Sequence, residues 1–203
     1  MNPLFEPIID GILNEGYGTV DHFLTADEVT ALAKRLRERR AAGQFKAAGI
    51  GNQQVTIENT IRGDEILWID DTSATPEEAA FLQRIGDFVD YVNQTCYLGL
   101  RDYEFHYALY PPGTFYKRHL DQFRSDSRRK LSVICYLNED WQETDGGQLA
   151  LFLPDESAPN AEREITVQPL GGRLVCFESG RLEHEVRPAT RERLSVTGWL
   201  KTA

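Results

Sequence analysis

Cysteine, histidine and methionine are scarce in this chain, whose 203 residues hold three, four and one of them. The cysteines, Cys96, Cys135 and Cys176, are odd in number, widely separated and never in a C-x-x-C pair, which argues against a zinc knuckle, a redox motif or a disulfide framework. Cys135 and Cys176 fall inside apolar runs and read as reduced core thiols. No run approaches the roughly 18 apolar residues of a membrane span, and Met1 to Phe5 has neither the basic flank nor the apolar stretch of a secretory signal. A cytoplasmic chain without membrane contact is the expectation. Basic residues are also in deficit: 22 Lys and Arg stand against 32 Asp and Glu, a net charge of -10. A nucleic-acid partner would need a basic face, so that class is disfavoured.

What is present is enough apolar residue, 41% of the chain, to close one substantial core. We expect a single domain over 1–203 and a monomer, with helical support mainly in 1–95 and a β core over about 100–201. The charge is unevenly spread. Lys117, Arg118, Arg124, Arg128, Arg129 and Lys130 meet only Asp121 and Asp126, whereas the stretch from Glu139 to Glu164 is strongly acidic. Such runs read either as two solvated loops of opposite sign or as a basic loop that attracts an anionic cosubstrate or acidic partner.

The first half carries helix signals. Thr25 and Glu28 form a capping box, with Leu24 and Val29 as its hydrophobic staple, ahead of an apolar face of Val29, Leu32, Ala33 and Leu36 that runs to Gly43. Thr75-Pro76-Glu77-Glu78 opens a second helix with the stripe Phe81, Leu82, Ile85, Val89 and Val92. A shorter amphipathic segment spans Leu4 to Leu13. From Tyr103 the pattern turns to short alternating or apolar runs: Tyr103–Tyr110, Leu131–Leu137, Gln148–Leu153, Arg173–Phe177 and Arg193–Leu200. Without helices between them, they predict an antiparallel sandwich or barrel of jelly-roll type, mainly β and buttressed by the early helices. Asp155 to Ala161 reads as the mobile loop.

Two of the four histidines stand in telling places. His119 and Asp121 end a strand-like run two residues apart, so they project to one face and can converge on one ion. With a distant second imidazole, His184 being the candidate, they would make the two-His-one-carboxylate set that leaves three positions open on iron(II). Nine residues on, Arg193, Ser195, Thr197 and Trp199 alternate with Leu194, Val196 and Leu200. The polar face is either solvent-exposed, with the aliphatic face as core, or the wall of an enclosed cavity. In the second case the Arg193 guanidinium, backed by Thr197 and a Tyr136 hydroxyl, is suited to grip a carboxylate.

The blocks Ile61-Arg62-Gly63-Asp64-Glu65-Ile66-Leu67-Trp68-Ile69, Tyr110-Pro111-Pro112-Gly113 to Asp121, Tyr136-Leu137-Asn138-Glu139-Asp140-Trp141, Asp145-Gly146-Gly147, and His184 through Arg193 to Trp199 carry a resemblance. In order and spacing they resemble the hypoxia-type prolyl 4-hydroxylases of the 2-oxoglutarate oxygenase superfamily, especially small bacterial members, over about 60–200. The resemblance implies a distorted double-stranded β-helix. It implies iron(II) held by His119, Asp121 and His184, and 2-oxoglutarate held by Arg193, Tyr136, Tyr110 and Thr197. Tyr116, Arg129 and Trp199 are implied near a target proline, and Asp64 and Trp68 in a mobile loop over the substrate, with Asp64 paired to Arg129. Arg rather than Lys at 193 points to the hypoxia-type branch. Dioxygen is the co-reactant, with ascorbate as an optional reductant, and elongation factor Tu is the leading protein partner that the small bacterial members suggest. The chain carries no collagen-type peptide-binding domain, C-terminal helix or zinc finger in this reading. Another amino acid, a small molecule, or a non-enzymatic jelly roll that binds metal or small acids are the competing readings.

Overall fold

In the computed structural model, which describes residues 3–49, 56–58, 60–122, 126–155 and 161–203, each helix signal finds its element. Helix α1 is Phe5–Glu15, α2 is Ala26–Ala41 and α3 is Pro76–Cys96. At the start of α2 the Glu28 amide donates to Thr25 Oγ1 (3.3 Å) and the Thr25 amide to the Glu28 carboxylate (2.8 Å). The staple pair Leu24 and Val29 is buried beside them. Glu28 also takes the Arg84 guanidinium of α3 at 2.6 Å, so one side chain caps α2 and ties it to α3. Helix α3 has Pro76 at its first position and buries Phe81, Leu82, Ile85, Phe88 and Val92, while Val89 packs at the margin of that stripe. Each fully buried side chain of this size contributes about 1.5–3 kcal/mol of burial free energy.

Eleven strands are described: β1 Tyr17–Val20, β2 Lys46–Ala47, β3 Glu65–Trp68, β4 Leu100–Tyr110, β5 Tyr116–His119, β6 Arg129–Tyr136, β7 Leu149–Asp155, β8 Ala161–Val167, β9 Leu174–Glu178, β10 Glu183–Val186 and β11 Arg193–Thr202. They form a seven-stranded sheet in the order β1-β9-β6-β11-β4-β3-β2 and a four-stranded sheet in the order β5-β10-β7-β8, and the pairings are antiparallel. This is the mainly β, jelly-roll architecture with helical support that the sequence predicts. The five strand-like runs all fall on strands. The short β1, β2, β3 and β10 carry four residues or fewer, too few for their periodicity to be decisive, and β8 is polar and largely exposed along most of its length. Residues 156–160 of the anticipated mobile loop lie outside the described residues, and the segment beyond them is β8.

The period of two sorts the large sheet into faces. Phe105, Tyr107 and Leu109 of β4, Leu131, Val133 and Cys135 of β6, Leu174 and Cys176 of β9, and Leu194, Val196 and Leu200 of β11 pack with the three helices in one core. The alternate residues Ala108, Tyr110, Ile134, Tyr136, Val175 and Phe177 meet Leu149, Leu151 and Leu153 of β7 in a second core between the sheets. Helix α1 comes close because two glycines allow it: a Cβ on Gly18 would lie 2.2 Å from the Ile8 carbonyl oxygen, and one on Gly11 would lie 2.6 Å from Gly18 Cα.

Candidate metal and cosubstrate site

The inner face of the large sheet and the β5 and β10 strands of the small sheet meet around His119, Asp121 and His184. His119 and His184 are register partners across β5 and β10, and Asp121 follows the end of β5 on the same side. One nitrogen from each ring and one carboxylate oxygen lie within 4.8 Å of one another. His119 Nε2 is 3.5 Å from one Asp121 oxygen and His184 Nε2 is 3.6 Å from the other.

Backbone carbonyls set the tautomers. His119 Nδ1 faces the Lys117 carbonyl at 2.7 Å and His184 Nδ1 faces the Leu182 carbonyl at 3.3 Å. A carbonyl can only accept, so each Nδ1 carries the proton and each Nε2 lone pair is free for a metal. Burial raises the Asp121 carboxyl, but the His184 and His119 imidazoles and the Ser132 hydroxyl outweigh it and hold the group well below the usual carboxylate range. Ser132 donates to Asp121 at 2.7 Å and lies 2.8 Å from Ser179. Burial above all pushes the His184 imidazole down to about 4, against the Asp121 charge. Two imidazoles presenting Nε2 and one carboxylate on one side of a point give a donor set that suits a divalent iron and leaves its other side open.

Deeper between the sheets, β11 presents Arg193 and Ser195, both buried, with Thr197 beside them. The polar face of this strand is therefore buried between the two sheets and is not solvent surface. Arg193 Nε donates to the Gly147 carbonyl at 2.8 Å, and its guanidinium lies 5.1 and 5.0 Å from the Tyr110 and Tyr136 ring centres. Gly147 must be glycine: its φ is +70°, and a Cβ would lie 3.2 Å from Arg193 Cδ and 3.0 Å from Ala189 Cβ. Arg193 Nη2 and the Tyr136 hydroxyl are fully covered and have no hydrogen-bond partner. Buried polar atoms are rarely left so. A guanidinium N–H and a phenol, both unspent, fit an incoming carboxylate. Thr197 Oγ1 is 3.1 Å from Ser195 Oγ on the same wall.

The remaining residues divide. Tyr116 stacks on the His119 ring at 3.5 Å and 15°, under the Arg62 guanidinium at 4.3 Å. Trp199 lies beneath the Arg129 guanidinium at 3.5 Å. Trp68, 48% exposed, leans over His106 and Trp199 with ring centres 4.9 and 6.3 Å away. The anticipated Asp64–Arg129 pair is not what forms. Asp64 is buried and takes both ends of the Arg62 guanidinium at 2.8 and 2.6 Å, while Arg129 binds Glu104 at 2.7 Å. Arg62 is two residues from Asp64, so the pair closes locally, and residues 65–68, expected in a mobile loop, form β3 against β4. Of the basic 117–130 segment, Arg118 pairs with Glu162 and Glu183, Arg128 with Asp126 and Arg129 with Glu104. Acid neighbours thus neutralise these charges, and Arg124 lies outside the described residues. Sequence reasoning did not single out His106, Ser132 or Gly147 as site residues. The signal for His106 and Ser132 was their even spacing from Tyr110 on β4 and Tyr136 on β6, whereas Gly147 stood in the Asp145-Gly146-Gly147 block without a role of its own.

Residues 105–201 match the family model of the 2OG-Fe(II) oxygenase superfamily. The crystal structure of a Pseudomonas putida prolyl-4-hydroxylase is similar with a TM-score of 0.86 and 44% identity, over 98% of this chain and 99% of that one. A Trichoplax adhaerens prolyl hydroxylase, solved with a hypoxia inducible factor oxygen degradation domain peptide fragment, gives 0.83 at 28% identity over 98% and 89%. The hypoxia-inducible factor prolyl hydroxylase of Caenorhabditis elegans is 31% identical over 96% of this chain. The chain spans between 28% and 57% of the length of four curated relatives it matches.

Proposed function

The chain belongs to the 2OG-Fe(II) oxygenase superfamily, in its prolyl 4-hydroxylase branch, and from that premise we propose that it is an iron(II)- and 2-oxoglutarate-dependent dioxygenase. The proposed reaction is hydroxylation of a prolyl residue of a protein at C4, with succinate and carbon dioxide as co-products. The observation that carries the reading is the pairing of a three-donor cluster open on one side with a buried guanidinium and phenol that have unspent hydrogen bonds. His119, Asp121 and His184 would hold the iron through the two Nε2 atoms and one carboxylate oxygen. Bound iron and 2-oxoglutarate supply the chemistry, using dioxygen to oxidise the substrate as the cosubstrate is decarboxylated.

The protein's own part is orientation. Gly147 and the Tyr110 and Tyr136 rings fix the plane of Arg193, so its free Nη2 and the Tyr136 hydroxyl meet the distal carboxylate of 2-oxoglutarate in one place. Thr197 lines that wall, and Tyr110 closes it from β4. A displacement of about 1 Å at such a clamp can cost on the order of a hundredfold in rate, because the reacting ends are held by this distal contact. Burial between the sheets keeps water from Arg193, which makes it effective as a carboxylate partner. Tyr116, Arg129 and Trp199 form the rim on which the target residue would rest, with Asp64 holding Arg62 over Tyr116 and Trp68 at the edge.

We take residues 1–203 as one dioxygenase domain acting as a monomer in the cytoplasm, and elongation factor Tu as the leading substrate. Among the described residues no helix is long and apolar enough to cross a membrane. The test is incubation of elongation factor Tu, and separately of a cytosolic protein extract, with the chain, iron(II), 2-oxoglutarate and dioxygen. A mass gain of one oxygen mapped to a prolyl residue is expected, and succinate formation driven only by small metabolites would refute the protein-substrate reading. His119→Ala should abolish stoichiometric iron binding, and iron retained at one equivalent would refute the ligand set.

A further inference from the structure

Two nitrogen atoms on the inner face of the large sheet have no part in the site described above. His106 on β4 is the register partner of Thr197, and Trp199 on β11 is the partner of Glu104, so the two rings stand on adjacent strands in neighbouring rows. Both residues are buried, and both His106 Nδ1 and Trp199 Nε1 are fully covered without a hydrogen-bond partner. Their ring centres are 5.5 Å apart with planes inclined by 31°. Trp68 and His106 make a T-shaped contact, and the Arg129 guanidinium lies over the Trp199 face. These ring contacts give neither nitrogen a hydrogen bond.

If packing were the whole role of these rings, phenylalanine would serve at 106, without the desolvation cost of an orphaned nitrogen. Burial, the leading influence, together with the Arg62 and Arg129 charges, holds the His106 imidazole down to about 4 against the opposing pull of Asp64 and Asp121, so at neutral pH the ring is uncharged. A neutral imidazole has one N–H, and with it on Nδ1 the ring is a donor there. An indole N–H is a donor only. Two uncharged donors side by side match the two lone pairs of a neutral carbonyl oxygen, whereas the carboxylate of the cosubstrate has the charged Arg193 two rows away.

We propose that His106 and Trp199 form a paired grip for a main-chain carbonyl of a peptide substrate, with His106 as a substrate-positioning residue beside the metal cluster. This rests on the peptide-substrate reading above but not on the identity of the oxidised residue. Trp68, 48% exposed, packs against both rings, and in this proposal the peptide approaches the pair from that side.

The test uses the zinc(II)-substituted chain with N-oxalylglycine filling the cosubstrate site and its histidine and tryptophan rings labelled with nitrogen-15. His106→Phe identifies the His106 resonances, and Trp199→Phe the Trp199 resonance, by their loss. The probes are the N-acetyl methylamides of proline, leucine and aspartate. Addition of the prolyl probe should shift the His106 Nδ1 and Trp199 Nε1 resonances together. In His106→Phe and in Trp199→Phe the probe should bind about tenfold more weakly, one hydrogen bond lost, with N-oxalylglycine affinity unchanged, and His106→Gln should recover part of the loss. A response to N-oxalylglycine but to no amide would overturn the proposal by assigning His106 to the cosubstrate, and silence toward all three amides would overturn it outright. A response to the leucyl or aspartyl probe without the prolyl one would sustain the grip and refute the prolyl reading.

Discussion

Tyr136→Phe separates a binding role from a structural one by the signs of two effects. The Tyr136 side chain is wholly buried between the sheets and its hydroxyl has no partner, while its ring packs in the inter-sheet core and against Arg193. Phenylalanine keeps the ring and its contacts and deletes only the oxygen. Without cosubstrate, an unpaired buried hydroxyl costs about 1–3 kcal/mol, so its removal should leave stability equal or raise it. At roughly 2–4 °C per kcal/mol for a chain of this size, the gain is up to about 12 °C in melting temperature. With cosubstrate, the same hydroxyl would donate to a carboxylate, an interaction worth about 1.5–3 kcal/mol, so 2-oxoglutarate should bind roughly 10- to 150-fold more weakly. Thermal denaturation of the cosubstrate-free protein and calorimetric titration of the zinc-substituted protein with 2-oxoglutarate read the two quantities. A variant less stable than the parent, or one of undiminished affinity, would refute the assignment of the hydroxyl to the cosubstrate.

Gly18→Ala should lower stability by about 1–3 kcal/mol, since its Cβ would overlap the Ile8 backbone and force α1 off β1; an unchanged urea midpoint would contradict this packing. Folded protein should show one thiol reactive toward an alkylating reagent, Cys96. Cys135 and Cys176 are buried and their thiols are pushed far up by burial. Two or three rapidly alkylated thiols under native conditions would contradict that. Iron(II) or zinc(II) should raise the melting temperature and a chelator should return it, because a metal held by His119, Asp121 and His184 binds only the folded chain. A melting temperature indifferent to both would oppose the metal assignment.

The local signals were legible because they rest on short-range geometry. The Thr25 box, Pro76 at the first turn of α3 and the two-residue rhythm of β4, β6, β9 and β11 each depend on neighbours within a few positions, and each appears where the sequence puts it. The spacing of His119 and Asp121 likewise fixes their common face. The order of the matching blocks carried the rest of the site, His184 and Arg193 included, since no periodicity links residues so far apart. The Asp64 partner was misjudged because a two-residue contact with Arg62 competes well with one across the fold.

Alternation along Arg193–Leu200 determined that one face of that strand is aliphatic and the other polar, and nothing more, because a strand's own pattern is the same whether its polar side meets water or a second sheet. Tertiary structure decided the matter by laying β10 and β7 across the large sheet. That enclosure gives Arg193, Tyr136, His106 and Trp199 their unspent hydrogen bonds: removed from water, a polar atom needs a partner, and here the chain supplies none.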